Sequence, residues 1–120
     1  MKVVVSSKGG TLDSEVDPRF GRARRFLLVD TETGDVRVVD NTQDLEALQG
    51  AGIQAAQTVA ALEPDCVLTG HCGPKAFAVL SAAGVRVVVG AEGTVRDAIE
   101  QLERGHLKPA GGADVEGHWV

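Results

Sequence analysis

The chain has 120 residues, about one domain's worth, with 43% apolar residues but only 3% aromatic ones, so any core must be aliphatic. A formal net charge of −5 argues against general affinity for nucleic acid or anionic membrane. No run approaches the roughly 20 apolar residues that a membrane helix needs.

Met1 and Lys2 lead directly into Val3-Val4-Val5 and then polar Ser6-Ser7-Lys8. That apolar run is far too short for an export signal, so a cytoplasmic location is expected. In that compartment Cys66 and Cys72 are expected to be thiols or ligands rather than a structural disulfide.

Lys2 to Ser6 reads as a buried strand, because its three valines are consecutive rather than alternating. Residues 8–22 contain Gly9, Gly10, Pro18 and Gly21 and read as a long loop, a type that is usually functional or mobile in a compact domain. Phe26–Asp30 and Asp35–Val39 flank Thr31-Glu32-Thr33-Gly34, which predicts a β-hairpin. Residues 40–50 turn polar and lead into a helix from Gly52 to Leu62, which Pro64 stops.

Cys66–Thr69 is a second short buried strand, followed by the tight loop Gly70-His71-Cys72-Gly73. Pro74 then opens a helix whose apolar face is Ala76, Phe77, Leu80 and Ala83, with Gly84 at its exit. Val85–Val89 is a further buried strand. Thr94 and Asp97 can form a capping box for a last helix bearing Val95, Ala98, Ile99 and Leu102 at helical spacing. Gly105 ends it. The last residues carry no such pattern, so a domain over 1–107 and a flexible tail over 108–120 are expected.

The order β-β-β-α-β-α-β-α predicts an α/β fold: a mixed five-stranded sheet, an antiparallel hairpin joined to βαβ crossovers, with helices on its faces.

Standard catalytic motifs fail. There is no complete P-loop around Lys8-Gly9-Gly10, no G-x-G-x-x-G after a strand and no G-x-S-x-G elbow. Asp30 and Asp40 are acidic residues at strand ends that hairpin geometry accounts for without a metal.

The informative segment is Thr69-Gly70-His71-Cys72-Gly73-Pro74-Lys75, at the end of a parallel strand and the start of a helix. Open α/β sheets place ligands there, and a helix N-terminus favours anions and lowers a thiol's pKa. Thiolate and imidazole suit iron–sulfur species, so Cys72 and His71 are the candidate metal ligands, with Gly70 and Gly73 leaving room for a bulky group. The bland alternative makes Cys72 a small turn residue and His71 a surface residue.

Cys66 opens a buried strand and reads as a small core hydrophobe; a bridge to Cys72 would have to span strand and loop, and is rejected. Arg19, Arg22, Arg24 and Arg25 put four of the twelve basic residues within seven positions, where they can neutralise an anionic cluster, with Lys75 adding to the field. A solvated loop, or pairing with Asp13, Glu15 and Asp17 just upstream, is the alternative. His118 is a candidate mobile ligand in the tail, and His106 needs no role beyond the helix end.

Together these residues resemble the dinitrogenase iron–molybdenum cofactor biosynthesis family. The landmarks are Arg19-Phe20-Gly21-Arg22-Ala23, Asn41 after the third strand, Gly50-Ala51-Gly52, Gly70-His71-Cys72-Gly73-Pro74-Lys75-Ala76-Phe77 and Leu80-Ala83-Gly84-Val85, spread over residues 1–107. The resemblance implies a ribonuclease H-like fold and binding of iron–molybdenum cofactor, its precursor or a simpler iron–sulfur cluster.

The expected function is therefore cluster binding, storage or transfer by a non-enzyme. Cys72 and His71 would be ligands, and Arg19, Arg22 and Lys75 with Gly70 and Gly73 would line the site. The partner would be a cluster donor or acceptor protein, and the chain a monomer or weak homodimer. The rivals are a metal-free interaction or regulatory module, and a small hydrolase or thiol redox enzyme, for which no orienting acid–base pair is visible.

Overall fold

The computed structural model describes residues 1–42, 50–107 and 109. Residues 43–49 of the polar stretch leading into the first helix, and the flexible-tail and His118 expectations over 108–120 apart from Pro109, lie outside the described residues.

Nine elements follow in order: β1 (Lys2–Ser7), a 3₁₀ turn (Phe20–Arg22), β2 (Arg25–Asp30), β3 (Val36–Asp40), α1 (Ala51–Ala60), β4 (Cys66–Leu68), α2 (Pro74–Ala82), β5 (Arg86–Val88) and α3 (Val95–Glu103). The five strands form one mixed sheet in the order β3-β2-β1-β4-β5. β1 and β3 run antiparallel to β2, whereas β4 is parallel to both β1 and β5. This is the α/β architecture, five-stranded mixed sheet and three helices expected from the element order.

β1 is central and Val3, Val4 and Val5 are fully buried, which explains the unbroken valine run. Val4 packs with Phe26, Val67 and Val87 under α1 and α2. Val3 and Val5 face the other way, with Leu27, Cys66, Leu68 and Val88, under α3. The one-residue alternation across matched registers gives two aliphatic cores, one on each face. β3 lies at the sheet edge and leaves Val36 and Val38 exposed.

The hairpin closes as expected. Gly34 takes φ +82°, which strains any residue with a Cβ, and Gly34 N donates to Asp30 O at 2.8 Å. Asp30 Oδ1 accepts from Glu32 N and Thr33 N, and these bonds hold its carboxyl below the usual range. Asp40 pairs with Arg25 across the strands at 3.2 Å. Both acids thus have hairpin roles.

The boundaries differ in small ways. α1 stops at Ala60 rather than Leu62, because the chain reverses at Glu63 with φ +53° just before Pro64. Ala83, expected on the buried face of α2, is instead its exposed C-cap. β4 and β5 are three residues each, shorter than the apolar runs suggested, because Thr69 and the residues beyond Val88 turn away to form loops.

The capping box of α3 is complete. Thr94 Oγ1 accepts from Asp97 N at 3.1 Å, and Asp97 Oδ2 accepts from Thr94 N at 3.1 Å. Thr94→Ala is expected to lower stability by about 1 kcal/mol in urea unfolding, through loss of the cap alone.

Candidate functional site

β1 has β2 on one side and β4 on the other, so the sheet changes its direction of winding at the β1–β4 boundary. Ligands of open α/β sheets bind beyond the carboxyl ends of the strands at such a point. Three loops meet there: residues 8–24 after β1, 69–73 after β4, and 89–94 after β5.

A buried polar knot lies beneath them. Ser6 Oγ is 2.7 Å from Asp17 O and 2.8 Å from Thr69 Oγ1, and Asp17 N donates to Ser6 O at 2.8 Å. Burying these groups costs little because they satisfy one another. Gly90 N and Ala91 N donate to Gly70 O (3.0 Å) and Thr69 O (3.1 Å), which ties in the third loop.

Above the knot, the arginine-bearing loop and the Gly70–Gly73 loop are stitched directly together. His71 N donates to Pro18 O at 2.7 Å, Phe20 N donates to His71 O at 3.3 Å, and Arg19 and His71 form a parallel β-bridge. Two segments about fifty residues apart in sequence thus share one surface.

Within the arginine loop, exposure alternates. Phe20 and Ala23 sink into the core, the Phe20 ring 5.3 Å from that of Phe26, while Arg19, Arg22 and Arg24 stay in solvent. The upstream acids are engaged elsewhere: Asp13 with Arg96 at 3.3 Å and Glu15 with Lys8 at 3.3 Å. Asp17 Oδ1 accepts from Arg19 N at 3.0 Å, an Asx turn before the 3₁₀ element. Among the described residues, none of Arg19, Arg22, Arg24 and Lys75 forms an ion pair. Among the described residues, the exposed Arg19 thus stands beside His71 on an acidic chain with no acid paired to it.

The Gly70–Lys75 segment divides in a way its sequence did not reveal. His71 is half-buried and Lys75 is exposed in the first turn of α2, where Gly73 supplies no side-chain cap and Pro74 occupies the first turn. Cys72 is fully buried, in the same core as Phe20, Ala76 and Leu80, with Sγ 3.7 Å from Gly73 O. Its sulfur does not line the loop surface. Gly70 does not open space for a ligand either: a Cβ there would lie 2.7 Å from Pro18 Cα and 2.8 Å from Pro18 O. The glycine permits the two loops to touch. Among the described residues, no group of three or more His, Cys, Asp or Glu side chains is arranged to hold a metal ion.

Cys66 sits on the opposite face of the sheet from Cys72, 3% exposed under α3, which rules out the bridge between them. Burial pushes its thiol up from the ordinary 9.0 to about 11, against the pull of Arg86. The neutral form is the one the core holds. Below about pH 9 both folded and unfolded chains keep the proton; between about 9 and 11 only the folded chain does, so stability falls across that window. The loss attributable to Cys66 is expected to reach about 3 kcal/mol, and a Cys66→Ala variant unfolded in urea at about pH 8 and about pH 11 should lack that component.

Asp17, Ser6, Thr69 and the Asn41 side chain are structural members of the site that motif reading did not pick out as such. Asp17-Pro18 was a readable turn signal; the Ser6–Thr69 contact joins residues far apart in sequence and had no local signal.

The profile of a family described as dinitrogenase iron–molybdenum cofactor matches residues 1–105. A structure described as the apo form of the orange protein from Desulfovibrio gigas is 42% identical, with TM-score 0.89, covering 95% of this chain and 96% of that one. An NMR structure described as a candidate NifB protein from Thermotoga, of the DUF35 family, is 35% identical, with TM-score 0.80, covering 97% and 98%. An uncharacterised protein of Methanocaldococcus jannaschii is 24% identical over 99 residues, 80% of this chain and 83% of that protein.

Proposed function

The chain belongs to the dinitrogenase iron–molybdenum cofactor family, and from that premise we propose that it binds, stores or transfers an iron–sulfur-type metal cluster. The cargo would be iron–molybdenum cofactor, its precursor or a simpler iron–sulfur cluster. The observation that carries this reading is the stitching of the Arg19–Arg22 segment to His71, which brings an arginine-bearing turn against the imidazole-bearing loop at the switch point of the sheet. Clusters with sulfide, thiolate or carboxylate ligands are anionic, and a cationic surface with few ligands both attracts such a cargo and lets it leave. That the 42%-identical structure is called an apo form is in keeping with this reading.

His71, half-buried beside the arginine-bearing turn, is the proposed surface ligand. Cys72 is the proposed thiolate ligand, and it can join only if Sγ turns out of the core as the Gly70–Gly73 loop opens. Remaining coordination would come from the cargo or from a donor or acceptor protein. The chain is proposed as a carrier rather than an enzyme, acting in the cytoplasm as a monomer or weak homodimer. The strand order β3-β2-β1-β4-β5, antiparallel at one end and parallel at the other, supports assigning the topology to the ribonuclease H-like class.

The burial of Cys72 favours one rival, a metal-free module that uses the basic surface to contact a partner. Anaerobic reconstitution with iron and sulfide, on wild type and on Arg19→Glu/Arg22→Glu, separates the two. Cluster carriage requires a brown wild-type protein and a double variant that keeps little iron. A colourless wild type would remove the simple iron–sulfur cargo and leave the interaction module standing.

A further inference from the structure

We infer that Asn41 is the positioning residue of the proposed site: its amide holds the arginine-bearing turn where Arg19 and Arg22 can reach a cargo at His71. The inference rests on the cluster-carrying reading and names a residue that reading does not use.

Among the described residues, the turn is held at its entry, its middle and its exit. At its entry Arg19 N donates to Asp17 Oδ1 at 3.0 Å. In its middle Phe20 N donates to His71 O at 3.3 Å, and the Phe20 ring is sunk in the core. At its exit Asn41 Nδ2 donates to Ala23 O at 2.8 Å and Gly21 O at 3.4 Å, while Asn41 N donates to Arg24 O at 3.2 Å. The turn's own bonds are long, 3.3 Å from Arg22 N to Arg19 O and 3.4 Å from Ala23 N to Phe20 O, so it depends on these outside ties.

The first two ties lead to the loops that carry the site. Among the described residues, Asn41 is the side chain that ties the turn's carbonyls to the end of β3. Among the described residues, no donor reaches the buried Asn41 Oδ1. An unsatisfied buried acceptor raises the energy of the fold, and an apolar residue of similar size would avoid that cost. Retaining an amide despite it fits a role for the NH₂ group rather than for packing.

Asn41→Asp keeps the shape but replaces the donor with a carboxylate oxygen facing two carbonyl oxygens; Asn41→Ala removes the contact. Wild type and both variants would be reconstituted anaerobically with iron(II) and sulfide and challenged with EDTA, with iron loss followed by absorption. Hydrogen exchange at residues 20–24 and the thermal midpoint would be measured on the same proteins without iron. The expected result is faster exchange at Arg22 and Ala23 and iron loss accelerated roughly tenfold, the scale of one or two hydrogen bonds, with β1 and β4 amides still protected.

A lowered midpoint with wild-type exchange in the turn and wild-type iron loss would reduce Asn41 to a stabilising residue and overturn the inference. Faster exchange with unchanged iron loss would overturn it too, since the turn would then move without affecting the cargo. A wild type that takes up no iron overturns the cluster reading itself, a failure visible before any variant is compared.

Discussion

Wild-type protein reconstituted with iron and sulfide is expected to develop a charge-transfer band at about 400 nm, and Cys72→Ala to lose most of it and of the bound iron. The burial of the sulfur makes this a demanding prediction. Sγ lies in a core shared with Phe20 and Leu80, so it must turn toward the loop surface to coordinate anything. Metal binding can supply the free energy for that rearrangement. Loading should therefore loosen residues 70–73. Cys72→Ala exchanges one small buried apolar group for another and is expected to cost only about 1 kcal/mol of stability, so a missing band would not reflect an unfolded chain. A band retained in Cys72→Ala would leave the sulfur as a core residue and put the cargo on His71 and the arginines. His71→Ala would then be the variant to lose iron.

Gly70→Ala is expected to be the most damaging single methyl group in the site. The added carbon would meet the backbone of Pro18 at 2.7 and 2.8 Å, and backbone cannot rotate aside as a side chain can. The two loops must separate, which stretches the 2.7 Å bond from His71 N to Pro18 O and the Arg19–His71 bridge. Overpacking together with a weakened hydrogen bond is expected to remove about 2–4 kcal/mol, a large part of the stability of a domain this size. Iron uptake should fall with it, because the cations move away from the imidazole. Gly50→Ala is the comparison: among the described residues nothing lies within 4 Å of its added carbon, and urea unfolding should register only the N-cap difference between glycine and alanine, about 0.5–1 kcal/mol. Equal stabilities for the two variants would mean that the loops yield freely at Gly70.

Much of the fold was legible before the structure because its signals are local. Consecutive valines at 3–5 mark a central buried strand, Thr31–Gly34 a hairpin turn, Thr94 and Asp97 a cap, and Val95, Ala98 and Ile99 a helical face. Each depends on residues a few positions apart, where backbone sterics and hydrogen bonding act directly. Errors were confined to element ends, such as Ala83 and the last turn of α1, where neighbouring loops decide how far a helix continues.

The chain's belonging to its family could likewise be read from the sequence, as could the choice of Arg19, Arg22, His71 and Cys72 as candidates. The direction of the Cys72 side chain could not. A cysteine at a helix start is compatible with either a surface ligand or a core atom, and only the packing of Phe20, Ala76 and Leu80 around it decides for the core. Nor could the sequence foretell that Gly70 serves a backbone contact with Pro18, or that Asn41 would grip a turn twenty residues earlier. These facts depend on which distant segments the sheet order brings side by side. Local pattern determined the elements, and long-range packing decided which atoms face the site.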